Sequence, residues 1–331
     1  MNNLYWYTLY GLIIRSNYKL ELFAEISESK ACDVDLVFTL GEWPHSNIIE
    51  DTIPNYTSNT SPEIELPYLT VWRLKNDFVV RYANKGRLVF YYFRSHQNEL
   101  KIYYDKEIRF QDVVTYLSGP VMGCLLRVKQ KVCLHASVVN IDNQAVVFIG
   151  PKTAGKSTLI AAFAKKGFPI LSDDLAVLYN QKESFAVYPG YPSLRLWQHT
   201  IENVIQLETE PLMPVLSDVN KYYLPLTSNK QGDFKFSSEP LILGRIYFLK
   251  ERNQDEITSI SEYSPLESFL KLQSNIYAEY MLTSELLKKE FEYFGQVLNS
   301  CAVKGFDRPD DLQRIDESIL SILADLKNKV I

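Results

Sequence analysis

The stretch LHASVVNIDNQAVVFIGPKTAGKSTLIAAFAKKGFPILSDD, from Leu134 to Asp174, decides how the rest of the chain is read. Inside it Gly150, Gly155, Lys156 and Ser157 fit the Walker A pattern G-x-x-x-x-G-K-[ST], with an apolar run before it and a helix-forming run after it, as the pattern requires. Residues 146–149 are β-branched and aromatic and read as a buried strand. Residues 156–166 read as an amphipathic helix with Lys165 and Lys166 in its last turn, stopped by Gly167. Between the two, successive backbone N–H groups and the positive end of the helix converge on one spot. The loop formed by Gly150, Pro151, Lys152, Thr153, Ala154, Gly155, Lys156, Ser157 and Thr158 is therefore expected to cradle the phosphates of a nucleotide. Lys156 adds a mobile positive charge for the outer phosphates, and the Ser157 hydroxyl is placed to ligate magnesium.

Working upstream, residues 132–140 read as a strand, and residues 141–144 leave room only for a hairpin turn. Parallel neighbours need a crossover of about a dozen residues or more, so the strand feeding the phosphate loop must run antiparallel to the one before it. An α/β fold with a mixed sheet is expected, not an all-parallel nucleotide-binding sheet. Downstream, residues 168–171 form a strand that ends in Ser172-Asp173-Asp174. A right-handed crossover brings that end beside the phosphate loop. Adjacent residues on an extended chain point to opposite sides, so one carboxylate is expected to face a metal at Ser157 and the other an attacking hydroxyl. His135 lies within reach as a phosphoryl contact or a holder of a carboxylate, its neighbours Cys133 and Ser137 sharing its face. Arg195 and Lys221 are candidates for neutralising transition-state charge.

The remaining chain sets bounds on this reading. At 331 residues, 46% hydrophobic and 13% aromatic, it can bury a large core in two domains. A net charge of −5 without a long basic run excludes nucleic acid as the main partner. Cys32, Cys124, Cys133 and Cys301 are far apart with no CxxC spacing, which reads as reduced thiols in a cytoplasmic protein. The N-terminus lacks the marks of a signal peptide, no run approaches the length of a membrane span, and the oligomeric state, a homo-oligomer included, is left open by the sequence.

Residues 1–110 read as a smaller β-rich domain with strands at 7–14, 34–40, 68–74, 77–82, 87–93 and 99–104, and a polar loop at 46–61. Its sheet edge suits recognition of a peptide or a partner protein. Residues 111–331 form the second domain. It opens with a helix at 111–129 that Pro120 must kink or split. A hairpin at 175–188, an irregular Pro-rich stretch at 207–241, a strand at 242–249 and helices at 264–280, 284–302 and 309–329 follow, with Ser264 and Ser284 as caps.

LHAS at 134–137, GPKTAGKST at 150–158, AAFAKKGFPILSDD at 161–174 and PGYPSLRLW at 189–197 resemble the C-terminal kinase domain of HPr kinase/phosphorylase. They look still more like its shorter relatives found with lasso-peptide and other ribosomal-peptide biosynthesis. KYYLP at 221–225 resembles the Lys-x-x-Leu-Pro segment of that subgroup, and YGLIIRS at 10–16 its opening. The resemblance covers roughly residues 111–331 and implies a phosphoenolpyruvate-carboxykinase-like P-loop kinase fold. It further implies ATP- and Mg2+-dependent phosphorylation of a serine hydroxyl on a precursor peptide, near its C-terminus. By motif, His135 and Lys156 match the family's active-site histidine and lysine, Ser157 its magnesium ligand, and Asp174 its proton acceptor, with Asp173 as partner. A magnesium-binding glutamate ahead of the motif arginine is replaced by Ser193 or its neighbours, and the segment used for phosphorolysis is missing. These departures set phosphorolysis and an HPr acceptor outside what the resemblance implies. The rivals are a kinase for an HPr-type protein or a small metabolite, and a nucleotide-binding regulator without transferase activity, which would need neither Asp174 nor His135.

Overall fold

The structure, a computed structural model, describes residues 4–28, 36–40, 49, 52–60, 65–84, 87–182, 184–217, 219–228, 234–252, 254 and 257–328. Cys32, residues 46–48, 50, 51 and 61 of the polar 46–61 stretch and residues 34, 35, 85 and 86 of the expected strands and turns fall outside them. The chain divides into two compact units, Met1–Lys131 with Ala278–Thr283, and Val132–Tyr277 with Ser284–Ile331. The helical segment after residue 110, grouped with the second domain on sequence, thus belongs to the first unit.

The first unit is built on one mixed sheet. Its strands are β1 (Tyr5–Leu9), β2 (Leu12–Ser16), β3 (Ala24–Glu25), β4 (Leu36–Leu40), β5 (Tyr56–Thr57), β6 (Leu69–Leu74), β7 (Asp77–Asn84), β8 (Arg87–Arg94) and β9 (Glu99–Tyr104), in the order β3-β1-β2-β4-β9-β8-β7-β6-β5. The single strand expected at 7–14 is instead a hairpin. Tyr10 and Gly11 take positive φ values of 53° and 78°, the two-residue turn whose twist matches that of the strands it joins. Alternation along β8, where Val89, Tyr91 and Phe93 are buried, aims one face of the sheet at a core. α1 (Phe110–Tyr116) and α2 (Met122–Val128) flank a wide turn, Leu117–Val121, that contains Pro120 and a non-helical Gly119. The expected split at the proline is there, because a ring without an N–H cannot continue the ladder.

The second unit is a three-layer sandwich. Its strands are β10 (Val132–Leu134), β11 (Ala136–Ile141), β12 (Gln144–Ile149), β13 (Ile170–Ser172), β14 (Ala176–Asn180), β15 (Phe185–Val187), β19 (Leu241–Leu249), β20 (Ser259–Glu262) and β21 (Val303–Asp307). The order β10-β14-β15-β19-β12-β11-β13 is extended beyond β19 by β21 and β20. β11 and β12 pair antiparallel through Asp142 and Asn143 at φ 51° and 60°, while β12, β19 and β21 run parallel, so the sheet is mixed as expected. Alternation on β12 serves both faces. Val146 and Phe148 pack with α3 (Lys156–Lys165) and α7 (Ile315–Lys327). Ala145, Val147 and Ile149 pack with α5 (Pro265–Gln273) and α6 (Ser284–Ser300). Each fully buried Phe or Leu here contributes about 1.5–3 kcal/mol.

Three expectations are corrected in this unit. The stretch at 207–241 is not wholly irregular: β17 (Met213–Leu216) and β18 (Val219–Pro225) form a hairpin that joins β16 (Ser193–Trp197), the strand that leads into the short α4 (Gln198–Thr200), in a small sheet of order β16-β18-β17. Pro214 is tolerated because β17 is an edge strand. The helix expected at 264–280 ends at Gln273; its Ser264 cap is real, in a reciprocal capping box with Glu267. The last helix starts at Ile315, after a turn at Leu312–Arg314 that the Asp311 side chain caps.

Candidate functional site

β12 delivers the chain to Gly150, whose φ of 148° and closeness to β19 exclude a side chain: a Cβ would lie 2.5 Å from the Leu249 carbonyl oxygen. The loop then turns through Thr153 at φ 72° and Gly155 at φ 80° into α3. Helix α3 ends as the sequence indicates, with Gly167 at φ 85° beyond its C-cap. Lys156 is buried, and its Nζ donates to the carbonyls of Gly150 at 2.8 Å and Pro151 at 3.2 Å, which holds it over the cradle. Burial pushes its pKa down, against the pull of Asp174 and Asp173.

β11 is antiparallel to both β12 and β13, so β12 and β13 point the same way and their C-terminal ends emerge at one sheet edge. The acidic pair therefore stands beside the phosphate loop. The two carboxylates diverge, although not by strand alternation. β13 ends at Ser172, and Asp174 takes φ 74°, a left-handed turn that Asp accepts more readily than most residues. Asp173 is 3% exposed; its Oδ1 accepts from the Ser137 hydroxyl at 2.8 Å, the Ser157 hydroxyl at 3.0 Å and the Asp174 N–H at 3.0 Å. Its Oδ2 accepts from the Arg195 N–H at 3.1 Å. It ties β11, α3 and β16 together.

Asp174 faces another set of groups. Its Oδ1 lies 3.5 Å from His135 Nε2, and its Oδ2 lies 3.3 Å from both Arg195 Nη1 and the Tyr277 hydroxyl. Burial alone would raise its pKa. The charges of Arg195, His135 and Lys221 and the Tyr277 hydroxyl outweigh that and hold it below the usual carboxylate range. Burial pushes the His135 imidazole down despite the pull of Asp174. His135 sits at a break between β10 and β11, not inside one continuous strand, and its N–H donates to the Asn275 carbonyl at 2.7 Å.

That break exposes residues the sequence reading missed. Once α5 ends, residues 275–277 run beside β10, with a bridge from Leu134 to Ile276 and the Tyr277 N–H on the Cys133 carbonyl at 2.8 Å. Asn275 is 5% exposed, and its Oδ1 accepts from the Gly150 N–H at 2.8 Å, which clamps the start of the phosphate loop. Tyr277 packs edge-on to His135 at 5.8 Å. An Asn just past an apolar helical run is a recognised stop signal, and it was the available clue.

The predicted cations also converge. Arg195 is 8% exposed, lies 5.4 Å from the Tyr191 ring centre and 5.7 Å from that of Tyr223, and so is held against Asp174. Trp197 and Lys221 are cross-strand partners on the same face, with Lys221 Nζ 5.7 Å from the indole. The walls enclose a cavity of about 380 Å³ lined by Lys152, Thr153, Gly155, Lys156, Ser157, Thr158, His135, Asp174, Arg195 and Lys221, with Leu196, Trp197, His199, Thr200 and Arg252. Asp173 stands behind this lining, reaching it through Ser157.

The donor set suits magnesium brought in with phosphates. Such a cation takes one or two carboxylates plus phosphate oxygens and water rather than a protein cage. Ser157 and Asp173 supply a hydroxyl and a carboxylate at the cradle, and the described residues hold no cluster of three or more His, Cys, Asp or Glu side chains able to bind a metal.

Among the described residues no helix is long and apolar enough to cross a membrane. No family model and no curated protein matches the chain. Among solved structures, the HPr(Ser) kinase/phosphatase from Coxiella burnetii aligns over 59% of this chain and 97% of its own at 12% identity, with a TM-score of 0.31. So distant a likeness says nothing of how this chain works, and the site stands on its own residues.

Proposed function

We propose that this chain is an ATP- and magnesium-dependent kinase, of a phosphoenolpyruvate-carboxykinase-like P-loop type, that phosphorylates a serine near the end of a ribosomally made precursor peptide. The observation that carries the reading is the position of Asp174: an ionised carboxylate on the wall of the cavity whose floor is the phosphate loop. A regulator that only bound nucleotide would have no use for it.

Transfer of a phosphoryl group asks the protein for alignment and charge neutralisation more than for covalent chemistry. The loop amides and Lys156 hold the outer phosphates, and Ser157 with Asp173 would hold magnesium, which shields their charge. Asp174 accepts a hydrogen bond from the acceptor hydroxyl and takes its proton as that oxygen bonds to phosphorus and the bond to the nucleoside diphosphate breaks. His135, Arg195 and Tyr277 fix the carboxylate for this. Lys221 offers a second cation on the acceptor side. The first unit is proposed to recognise the peptide.

Intact-mass analysis of the precursor peptide after incubation with ATP, alongside an HPr-type protein and small hydroxylated metabolites, tests this. A gain of one or more phosphoryl groups on the peptide is expected. Transfer only to another acceptor removes the peptide assignment, and nucleotide binding without transfer to any acceptor removes the kinase.

A further inference from the structure

Two arginines outside the Walker pattern and the acidic pair support the phosphate loop. Because β12, β19 and β21 are parallel, the chain leaves β19 and β21 at the same edge at which it leaves β12 for the loop. Arg308 is the first residue after β21 and is 4% exposed; its Nη2 donates to the Ala154 carbonyl. Arg252, just beyond β19, donates from Nη2 to the Thr153 carbonyl at 3.3 Å. In a planar trans peptide the carbonyl and the following N–H point in opposite directions. Turning the Ala154 carbonyl onto Arg308 therefore aims the Gly155 N–H the other way, and Gly155 lines the cavity, whereas the Ala154 N–H is taken up within the loop by the Pro151 carbonyl at 3.2 Å.

The two arginines differ in how their charge is met. Arg252 is paired with Asp310 at 2.6 Å, whereas among the described residues no carboxylate lies within ion-pair distance of Arg308, on which Asp310 acts only from further away and against the neighbouring Arg252 cation, and its buried Nε has no hydrogen-bond partner there. A buried cation left in that state is costly unless something else neutralises it. Only one peptide's thickness separates it from the cradle. A Cβ on Gly155 would lie 2.5 Å from Arg308 Nη2, so a residue without a side chain at 155 is what admits the guanidinium.

We propose that Arg308 is the positioning residue and buried counter-charge of the phosphate loop, its charge being met when a polyphosphate fills the cradle on the other side of the backbone. The proposal rests on the nucleotide reading of the cavity. Nothing in it depends on which acceptor is phosphorylated.

Calorimetric titration of the full chain with magnesium ADP and with magnesium tripolyphosphate, for the wild type, Arg308→Met and Arg308→Lys, tests it, with the thermal midpoint of each protein measured without ligand. Arg308→Met is expected to weaken both ligands by a common factor of roughly tenfold or more. Its unliganded midpoint is expected to stay or rise, since a costly buried charge has gone. Arg308→Lys should recover most of the affinity, because the charge returns even though the planar fork does not. Wild-type affinity in Arg308→Met, or a loss confined to ADP, would overturn the role. So would a lysine variant no better than the methionine one. Should Arg308→Met not fold, Arg308→Gln, which keeps a donor but not the charge, decides: weaker binding of both ligands than wild type at an unchanged midpoint supports the role, and unchanged binding removes it. A wild type that binds neither ligand removes the nucleotide site and this role with it, whereas a binding wild type with an indifferent Arg308→Met removes Arg308 alone.

Discussion

Asp174 Oδ1 and His135 Nε2 face each other at 3.5 Å across the end of the sheet, with Arg195 on the other carboxylate oxygen. The carboxylate is thereby oriented and kept ionised, two conditions for accepting a proton from an alcohol in a fixed direction. Asp174→Asn keeps the shape and removes the base. Phosphoryl transfer should fall by roughly a hundred- to ten-thousandfold, while the dissociation constant for ATP measured by calorimetry changes little. Near-normal turnover would take Asp174 out of the mechanism.

His135 sets a pH dependence whose sign follows from its environment. Burial holds its folded pKa below the value in the unfolded chain, about 6.5. The folded state therefore binds fewer protons than the unfolded one between those two values, and stability rises with pH across that window. Acidifying below about pH 6.5 should lower the thermal midpoint, and His135→Gln should flatten that part of the profile. A slope unchanged in the variant would assign the acid sensitivity to other groups.

Lys156 is the counterpart among the cations. Its folded pKa is depressed by burial, so at neutral pH its charge is carried at a cost to the unliganded protein. Lys156→Met should leave the unliganded midpoint equal or higher and weaken ATP by at least roughly tenfold. A lower midpoint with ATP binding retained would contradict both halves of this expectation.

Asn275 lies far along the chain from the loop it clamps. Asn275→Ala leaves the buried Gly150 N–H without its acceptor, which costs about 1–3 kcal/mol. Denaturant titration should register that loss, and nucleotide affinity should fall with it because the first turn of the cradle loosens. Unchanged stability would mean that water or another group replaces the amide.

Much of this was legible in the chain itself. The glycines at 150 and 155, the lysine and serine after them, and the four-residue turn at 141–144 specify a tight strand-to-helix loop on a strand with an antiparallel neighbour, since each follows from local backbone geometry. His135, Asp173, Asp174, Arg195 and Lys221 were all named from the sequence, and all are gathered at or directly behind one cavity. What stayed hidden were the residues whose place depends on strands that carry weak signals. β17, β18 and β21 are short and interrupted by proline, lysine or glycine, and the run at 275–277 looks like the tail of a helix.

The sequence by itself determined the cradle and the acidic pair, because a tight loop and a helix start are specified by residues adjacent in the chain. Only the tertiary structure decided which groups hold Asp173 and which hold Asp174, and brought Asn275, Tyr277 and Arg308 to the site. Those relationships arise from parallel strands ending at one edge and from one segment pairing with β10, and long-range pairing of that kind leaves no periodic trace in the residues that take part.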